Sequence, residues 1–140
     1  MTSYTYNAAN QLDTVTDPHG IKSKYVYNQL GQTIFTIAAW DGSYNPTSGA
    51  LPSSGNANQT TGYTYNAVGQ TLTMTAVMPS GQNSQTTEYV YNANGTLTLV
   101  KYPDPTTGVA SNNAYAQNSF TYNNLGQVLT KTDQNGTVHT

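Results

Sequence analysis

The chain has 140 residues, of which 7% are charged, and it carries a net charge of -2 at pH 7 and no cysteine. Its four basic residues cannot supply the clustered Lys and Arg that bind phosphate, which argues against nucleic acid and an anionic membrane surface as partners. The lack of cysteine excludes disulfides, thiolate chemistry and Cys-ligated zinc.

One short pattern returns five times along the chain: Tyr-x-Tyr-Asn in four copies and Phe-x-Tyr-Asn in the last, each with Gly or Asn three residues after its own Asn. In chain order the copies begin near residues 4, 25, 63, 89 and 120. Self-similarity over the whole length predicts a single repeat array spanning 1–140. The wider intervals between later copies predict inserted loops near 40–60, 79–86 and 103–116.

Each copy has the composition of a β-hairpin. Alternate aromatic residues lie on one face of a strand, where they form a ladder with neighbouring strands. Asn opens a type I turn, and the later Gly supplies the left-handed residue that closes a three-residue loop with a bulge; Asn replaces Gly in the first copy. The predicted structural ladder consists of Tyr4, Tyr6, Tyr25, Tyr27, Tyr63, Tyr65, Tyr89, Tyr91, Phe120 and Tyr122. The predicted turn residues are Asn7, Asn10, Asn28, Gly31, Asn66, Gly69, Asn92, Gly95, Asn123 and Gly126.

This loop fixes an expected pairing across each hairpin. The second aromatic residues are predicted to pair as Tyr6 with Leu12, Tyr27 with Thr33, Tyr65 with Thr71, Tyr91 with Leu97, and Tyr122 with Val128. The first aromatic residues are then expected opposite Thr14, Phe35, Thr73, Leu99 and Thr130. Ile34, Leu72 and Leu129 are expected on the opposite face, so the pattern leaves open which face is the more solvated.

Turn signals interrupt every apolar run before a helix could form. The sequence therefore predicts an all-β fold: a strip of antiparallel β-hairpins from five tandem repeats, spiralling or stacking.

The copies resemble the YD-repeat family, also called Rhs repeats, whose unit reads Tyr-x-Tyr-Asp-x-x-Gly-Arg-Leu followed by a second Gly-bearing turn. Here the unit is Tyr-x-Tyr-Asn-x-x-Gly-Gln, and "DPHG" at 17–20 and "DQNG" at 133–136 match the second turn. Asn stands for the family's Asp and Gln or Thr for its Arg, so an Asp to Arg pairing is absent.

The resemblance implies the setting of a large secreted or surface protein, as in toxin-complex shell proteins, polymorphic toxins and teneurins. In that family the repeats form a long strip of hairpins that spirals into a hollow shell, and the repeat itself carries no catalytic residues. Some of its repeats have been described as sugar-binding, which makes a glycan a possible partner.

Few residues stand outside the repeat pattern as candidates for chemistry. His19 lies in a turn, His139 has no carboxylate partner in sequence, and the six acidic residues are scattered, so neither catalysis nor a metal or cofactor is expected. Aromatic residues outside the ladder are the better candidates for a ligand contact. In the longest inserted loop these are Trp40 and Tyr44, together with the neighbouring Asp41. Tyr102 and Tyr115, at the inserted loop near 103–116, are further candidates of the same kind.

The two chain ends fall in phase with the repeat, and few charges guard the edges of the predicted sheet. These features predict a non-catalytic structural module of a secreted or cell-surface protein, which associates edge to edge or end to end with identical chains or linked repeats. The alternatives are a carbohydrate-binding adhesin module and a wall segment of a toxin-encapsulating shell.

Overall fold

The computed structural model, which describes residues 1–52 and 54–140, is one open sheet of eleven antiparallel strands in sequence order. The all-β prediction is confirmed, and the helical residues among those described are two short 3-10 turns, Pro46–Ser48 and Ala114–Ala116. The strands are β1 Ser3–Tyr6, β2 Leu12–Thr16, β3 Lys22–Tyr27, β4 Thr33–Ala38, β5 Gln59–Tyr65, β6 Thr71–Val77, β7 Gln85–Tyr91, β8 Leu97–Lys101, β9 Gln117–Tyr122, β10 Val128–Thr132 and β11 Val138–His139.

The loops that join each odd strand to the next share one conformation, which the third hairpin illustrates. The Asn66 carboxamide oxygen accepts the backbone N–H groups of Val68 at 3.1 Å and Gln70 at 2.9 Å, and the Gly69 N–H donates to the Asn66 carbonyl at 3.0 Å. Gly69 has a φ of 88°, which an L side chain tolerates poorly. The same position has a positive φ in all five loops, including Asn10 at 60°.

The predicted pairs of the second aromatic residues are present in all five hairpins. The expected partners of the first aromatic residues are wrong by one position, because a bulge places one extra residue in the even strand. In the third hairpin, Thr71 faces Tyr65 and Leu72 is the extra residue, so Thr73 faces Thr64 and Met74 faces Tyr63. The observed pairs are Tyr4 with Val15, Tyr25 with Thr36, Tyr63 with Met74, Tyr89 with Val100, and Phe120 with Lys131.

The two faces of the sheet differ in chemistry. The tyrosine face carries the aromatic ladder, and the threonine face carries the residues between them and their cross-strand partners. Hydroxyl pairs join neighbouring strands on the threonine face, at 2.7 Å for Thr64–Thr73, 2.9 Å for Thr75–Thr86 and 2.6 Å for Thr121–Thr130. Ion pairs Lys24–Asp13 and, at 3.0 Å, Lys101–Glu88 also lie across adjacent strands.

Burial of apolar side chains is limited, as expected for a single sheet layer. Ile37 on the threonine face is 1% exposed and Val100 on the tyrosine face is 9% exposed. Most other apolar side chains of the central strands are half-buried. Hydrogen bonds within and between hairpins therefore contribute much of the stability of the sheet.

Candidate functional site

A ladder of tyrosine hydroxyl groups links each hairpin to the one before it. The second tyrosine of a hairpin donates to the backbone carbonyl of the residue that faces the second tyrosine of the preceding hairpin. The bonds are Tyr27 to Leu12 at 2.8 Å, Tyr65 to Thr33 at 2.5 Å, Tyr91 to Thr71 at 2.9 Å and Tyr122 to Leu97 at 2.5 Å. All four junctions between hairpins thus use one contact, which sequence reasoning missed.

The hydroxyls of Tyr65 and Tyr91, in the centre of this series, are partly shielded from water. Burial raises the pKa of Tyr65 and of Tyr91 above the ordinary value of 10.0, and the neighbouring Tyr63 and Tyr89 hydroxyls add to the shift. Each hydroxyl therefore keeps its proton, and with it the hydrogen bond to the preceding hairpin, well into the alkaline range.

A second contact involves the glutamine that follows the loop glycine. Within the loop, the motif Asn donates from Nδ2 to this glutamine Oε1, at 2.9 Å for Asn66 and Gln70. Gln70 then reaches the next hairpin, where its Nε2 donates to the Gly95 carbonyl at 2.6 Å. Equivalent Asn to Gln bonds occur at Asn7–Gln11, Asn28–Gln32 and Asn123–Gln127.

The fourth loop departs from this pattern because Thr96 takes the place of the glutamine. An open cavity of about 570 Å³ lies between the fourth and fifth loops, and Thr96 is among the residues that line it. Asn92 and Asn94 line one side of this cavity, and Phe120 and Leu125 line the other. The junction between these two hairpins consequently keeps the tyrosine bond but lacks the glutamine bridge.

The three predicted ligand-contact residues have different positions in the loop between β4 and β5. The Trp40 Nε1 donates to the Tyr44 carbonyl at 2.9 Å, and the Lys24 ammonium lies 5.2 Å from the centre of the Trp40 ring. Trp40 and Tyr44 line a cleft of about 460 Å³ together with polar side chains that include Gln11 and Asn28. Asp41 does not line this cleft.

Asp41 is instead bonded within the loop, where Asn58 is its main partner. Asn58 is 1% exposed, has a φ of 55° and donates from Nδ2 to an Asp41 carboxylate oxygen at 2.7 Å. The other Asp41 oxygen accepts the N–H groups of Ser43 at 2.8 Å and Tyr44 at 2.9 Å. The bond from Asn58 and these N–H groups hold the pKa of Asp41 well below its usual range. In the sequence, Asn58 is marked only by a glycosylation-type triplet, which gives no hint of this role.

The histidines and the remaining loop tyrosines are not brought together into a site. His19 lies in an exposed turn, where its backbone N–H donates to the Asp17 carboxylate at 2.8 Å. His139 does have a carboxylate partner, contrary to the sequence interpretation, because the turn before β11 brings its Nε2 to 3.2 Å from Asp133. Tyr102 accepts a bond from an Asn side chain at 2.9 Å, and Tyr115 is 73% exposed. In residues 1–52 and 54–140, no three potential metal ligands cluster and no helix is long and apolar enough to cross a membrane.

The fold and these contacts define an array of β-hairpins in one open sheet, joined by a repeated tyrosine bond. No family model and no curated protein matches the chain. Three crystal structures are similar to it at 19% sequence identity: TcdB2-TccC3-Cdc42 (TM-score 0.47, 93% of this chain), TcdB2-TccC3-TEV (0.47, 94%) and TcdB2-TccC3 without its hypervariable C-terminal region (0.48, 93%). This chain spans 7% of the length of each of those chains. A similarity of this size assigns neither a family nor a function.

Proposed function

We propose that the chain is a non-catalytic structural module, whose outer strands associate with identical chains or with linked repeats to extend the sheet into a fibre or shell. The observation that carries this proposal is the repeated tyrosine bond between hairpins. The donor and the acceptor of this bond are both repeated at the ends of the sheet without a partner. At one end, the Tyr6 hydroxyl on β1 has no hairpin before it. At the other end, the Val128 carbonyl on β10 receives no tyrosine hydroxyl within the described residues.

The backbone of β10 supports the same proposal. β11 pairs with β10 only at Lys131 and Thr132, so the stretch from Val128 to Thr130 has no strand beside it on that side. An incoming strand with the sequence of β1 would lie beside this stretch as residues 25–27 lie beside the start of β2, and would set its second tyrosine against the Val128 carbonyl. The few charged side chains near these edges offer little hindrance to such pairing.

Sedimentation velocity and electron microscopy of the purified chain test the proposal. We expect a concentration-dependent polymer that persists in high salt, because the contact is built on backbone and hydroxyl groups and not on ion pairs. Tyr6→Phe should weaken association by about 2- to 12-fold, the value of one net hydrogen bond.

Tyr4→Phe is the matched control, because Tyr4 and Tyr6 are similarly exposed, at 58% and 61%. Only Tyr6 is the second tyrosine of its hairpin, the position from which the other hairpins donate the bond. Equal effects of the two substitutions would refute the proposed contact. A monomer at all concentrations would refute self-association.

A carbohydrate-binding module is the second candidate, favoured by the cleft that Trp40 and Tyr44 line. An indole ring beside carboxamide side chains offers one apolar stacking surface and several hydrogen-bonding groups, which suits a neutral sugar. On a glycan array, Trp40→Ala and Tyr44→Ala should abolish binding, and Tyr115→Ala in another loop should not. If the wild-type chain binds no glycan, this second function is wrong.

A further inference from the structure

The last strand of the sheet covers part of the edge that an incoming chain would use. β11 pairs with β10 through two residues, Val138 opposite Thr132 and His139 opposite Lys131. The first two residues of β3 take the same two positions on β2 in the first repeat. β11 therefore lies where an interior strand of the sheet begins, and it already occupies two of the positions at which a further strand would pair.

The tyrosine bond fixes the register in which two successive hairpins meet. In the junction between the first two hairpins, the Tyr27 hydroxyl donates to the Leu12 carbonyl, and Lys24 pairs with Thr14. The residue three before the donor tyrosine thus lies opposite the residue two after the acceptor. The two residues before Lys24 pair with the next two residues of β2.

The same register at the outer edge produces a conflict. When the Tyr6 hydroxyl of an incoming chain meets the Val128 carbonyl, Ser3 of that chain lies opposite the residue two further along β10. The two residues before Ser3 then face the pair of β10 residues that β11 holds. Thr140 follows β11 directly, so it lies beside the place of Ser3 itself. Residues 1–3 of one chain and residues 138–140 of another therefore compete for one stretch of β10.

Given the structural function proposed above, on which this inference rests, we propose that residues 138–140 form a strap that must leave β10 before a second chain adds its β1. The strap yields because it has no strand on its outer side within the described residues. Ser3 of the incoming chain, in contrast, is also paired with Thr16 of its own hairpin, so that strand is held from both sides. A covered edge of this kind hinders uncontrolled strand addition.

The strap is held lightly enough to leave. Val138 is 57% exposed, the His139 side chain is 59% exposed, and His139 Nε2 lies 3.2 Å from an Asp133 carboxylate oxygen. The turn before the strap has bonds of its own, because the Asp133 N–H donates to the Thr137 carbonyl and the Asp133 carboxylate accepts the Thr137 N–H, both at 3.0 Å. Residues 138–140 can therefore leave β10 while the turn keeps its shape.

Truncation tests whether the strap limits association. A chain that ends at Thr137 should self-associate about 5- to 150-fold more tightly than the wild type in sedimentation equilibrium, because the incoming strand gains about two net hydrogen bonds and displaces nothing. The control is the same truncation in a chain that also lacks Thr2 and Ser3. In that chain Met1 directly precedes Tyr4 and no residue reaches the freed positions, so truncation should change association by less than about two-fold.

A reversible covalent bond tests whether the strap has to leave. The chain has no cysteine, and Thr132 and Val138 are directly opposed, at a Cα separation of about 4.5–5.5 Å for antiparallel strands, which is within disulfide range. Oxidised Thr132→Cys with Val138→Cys keeps the strap on β10. It should associate at least about two-fold more weakly than the same protein after reduction, the value of one net hydrogen bond or more. Thr75→Cys with Thr86→Cys joins an equivalent pair in the centre of the sheet and should associate equally in both states.

The outcomes separate the strap from the association that it limits. Equal association of the oxidised and reduced Thr132→Cys, Val138→Cys chain would show that the strap does not leave, and equal association of the truncated and full-length chains would show that it limits nothing. In both cases a weakening by Tyr6→Phe would leave the proposed structural function standing. A truncated chain that stays monomeric at about 100 μM, roughly the range of a weak specific contact, would instead refute the edge association and the strap with it.

Discussion

The hydroxyl of Tyr65 is expected to stabilise the sheet by joining the third hairpin to the second. Tyr65→Phe removes the donor to the Thr33 carbonyl and keeps the ring on the tyrosine face. A net intramolecular hydrogen bond contributes about 0.5–1.5 kcal/mol, and the upper half of that range applies because the half-buried carbonyl loses its partner. Tyr6→Phe is the control, since the Tyr6 hydroxyl makes no hydrogen bond among the described residues and its side chain is 61% exposed.

Urea unfolding measures both variants. Tyr65→Phe should lower the midpoint while the slope with denaturant stays unchanged, and Tyr6→Phe should remain within about 0.3 kcal/mol of the wild type. Replacing the second tyrosine of the second, third, fourth and fifth hairpins together should cost about 4–6 kcal/mol, because the four bonds are well separated and their effects add. That sum is a large part of an ordinary domain's stability.

The pH dependence of the same variant tests the cause. The pKa of Tyr65 is raised in the folded chain, so the proton is held more tightly folded than unfolded. The resulting stability is fully present below pH 10, the unfolded value, and is lost as the pH rises through the higher folded value. The difference between wild type and Tyr65→Phe should therefore shrink above pH 10. A difference that grows there would refute the burial of the Tyr65 hydroxyl in the folded chain. Tyr6→Phe keeps that hydroxyl and should lose stability above pH 10 as the wild type does.

Three further substitutions test the loops. Gly69→Val should lower the free energy of unfolding by about 2–4 kcal/mol, because a β-branched residue is forced to a φ of 88°. Ala67→Val in the same loop should change it by less than about 0.5 kcal/mol. Equal changes in Tm for the two variants would contradict the loop geometry. Thr96→Gln should raise stability by about 0.5–1 kcal/mol by restoring the amide contact of the other loops, and an unchanged urea midpoint would count against that contact. Asn58→Ala should cost about 1–3 kcal/mol and expose the long loop to proteolysis, with the exposed Asn56→Ala as control; equal protease resistance of the two would show that Asn58 does not hold the loop.

The sequence was sufficient for the parts of the fold that depend on neighbours within one hairpin. An Asn followed three residues later by Gly has one low-energy way to turn, so the loops and the pairing of Tyr65 with Thr71 follow directly. The predicted partner of Tyr63 was wrong because the bulge adds Leu72 to one strand. The turn residues predict that a bulge is present, but they do not show which residue is the extra one.

Contacts between separate hairpins and across long loops could not be read from the pattern. The bond from Tyr65 to Thr33 joins residues 32 apart, and its existence depends on how two hairpins are aligned. Asn58 and Asp41 are 17 apart, and they meet only because the intervening loop returns to the end of β4. The sequence places Trp40 and Tyr44 in one loop. It does not predict that this loop forms a cleft with the hairpin loops, because that depends on how the loop folds back.

The tyrosine bond that joins the hairpins is also the contact on which the proposed association would depend. In an array whose units touch only their neighbours, stability is a sum of junction terms, so an interior rung such as Tyr65 contributes to the fold of every chain. Tyr6 occupies the same rung position but contributes only when a strand edge lies beside it. Glutamine side chains lie against the next loop glycine at the other three junctions, and Gln70 also donates a hydrogen bond there, whereas Thr96 makes no such contact, so its junction should be the weakest of the four. Hairpins one to four should therefore fold as the more stable block, and the fifth hairpin, which bears the open edge at Val128, is held to that block mainly by the bond of Tyr122 and by strand pairing.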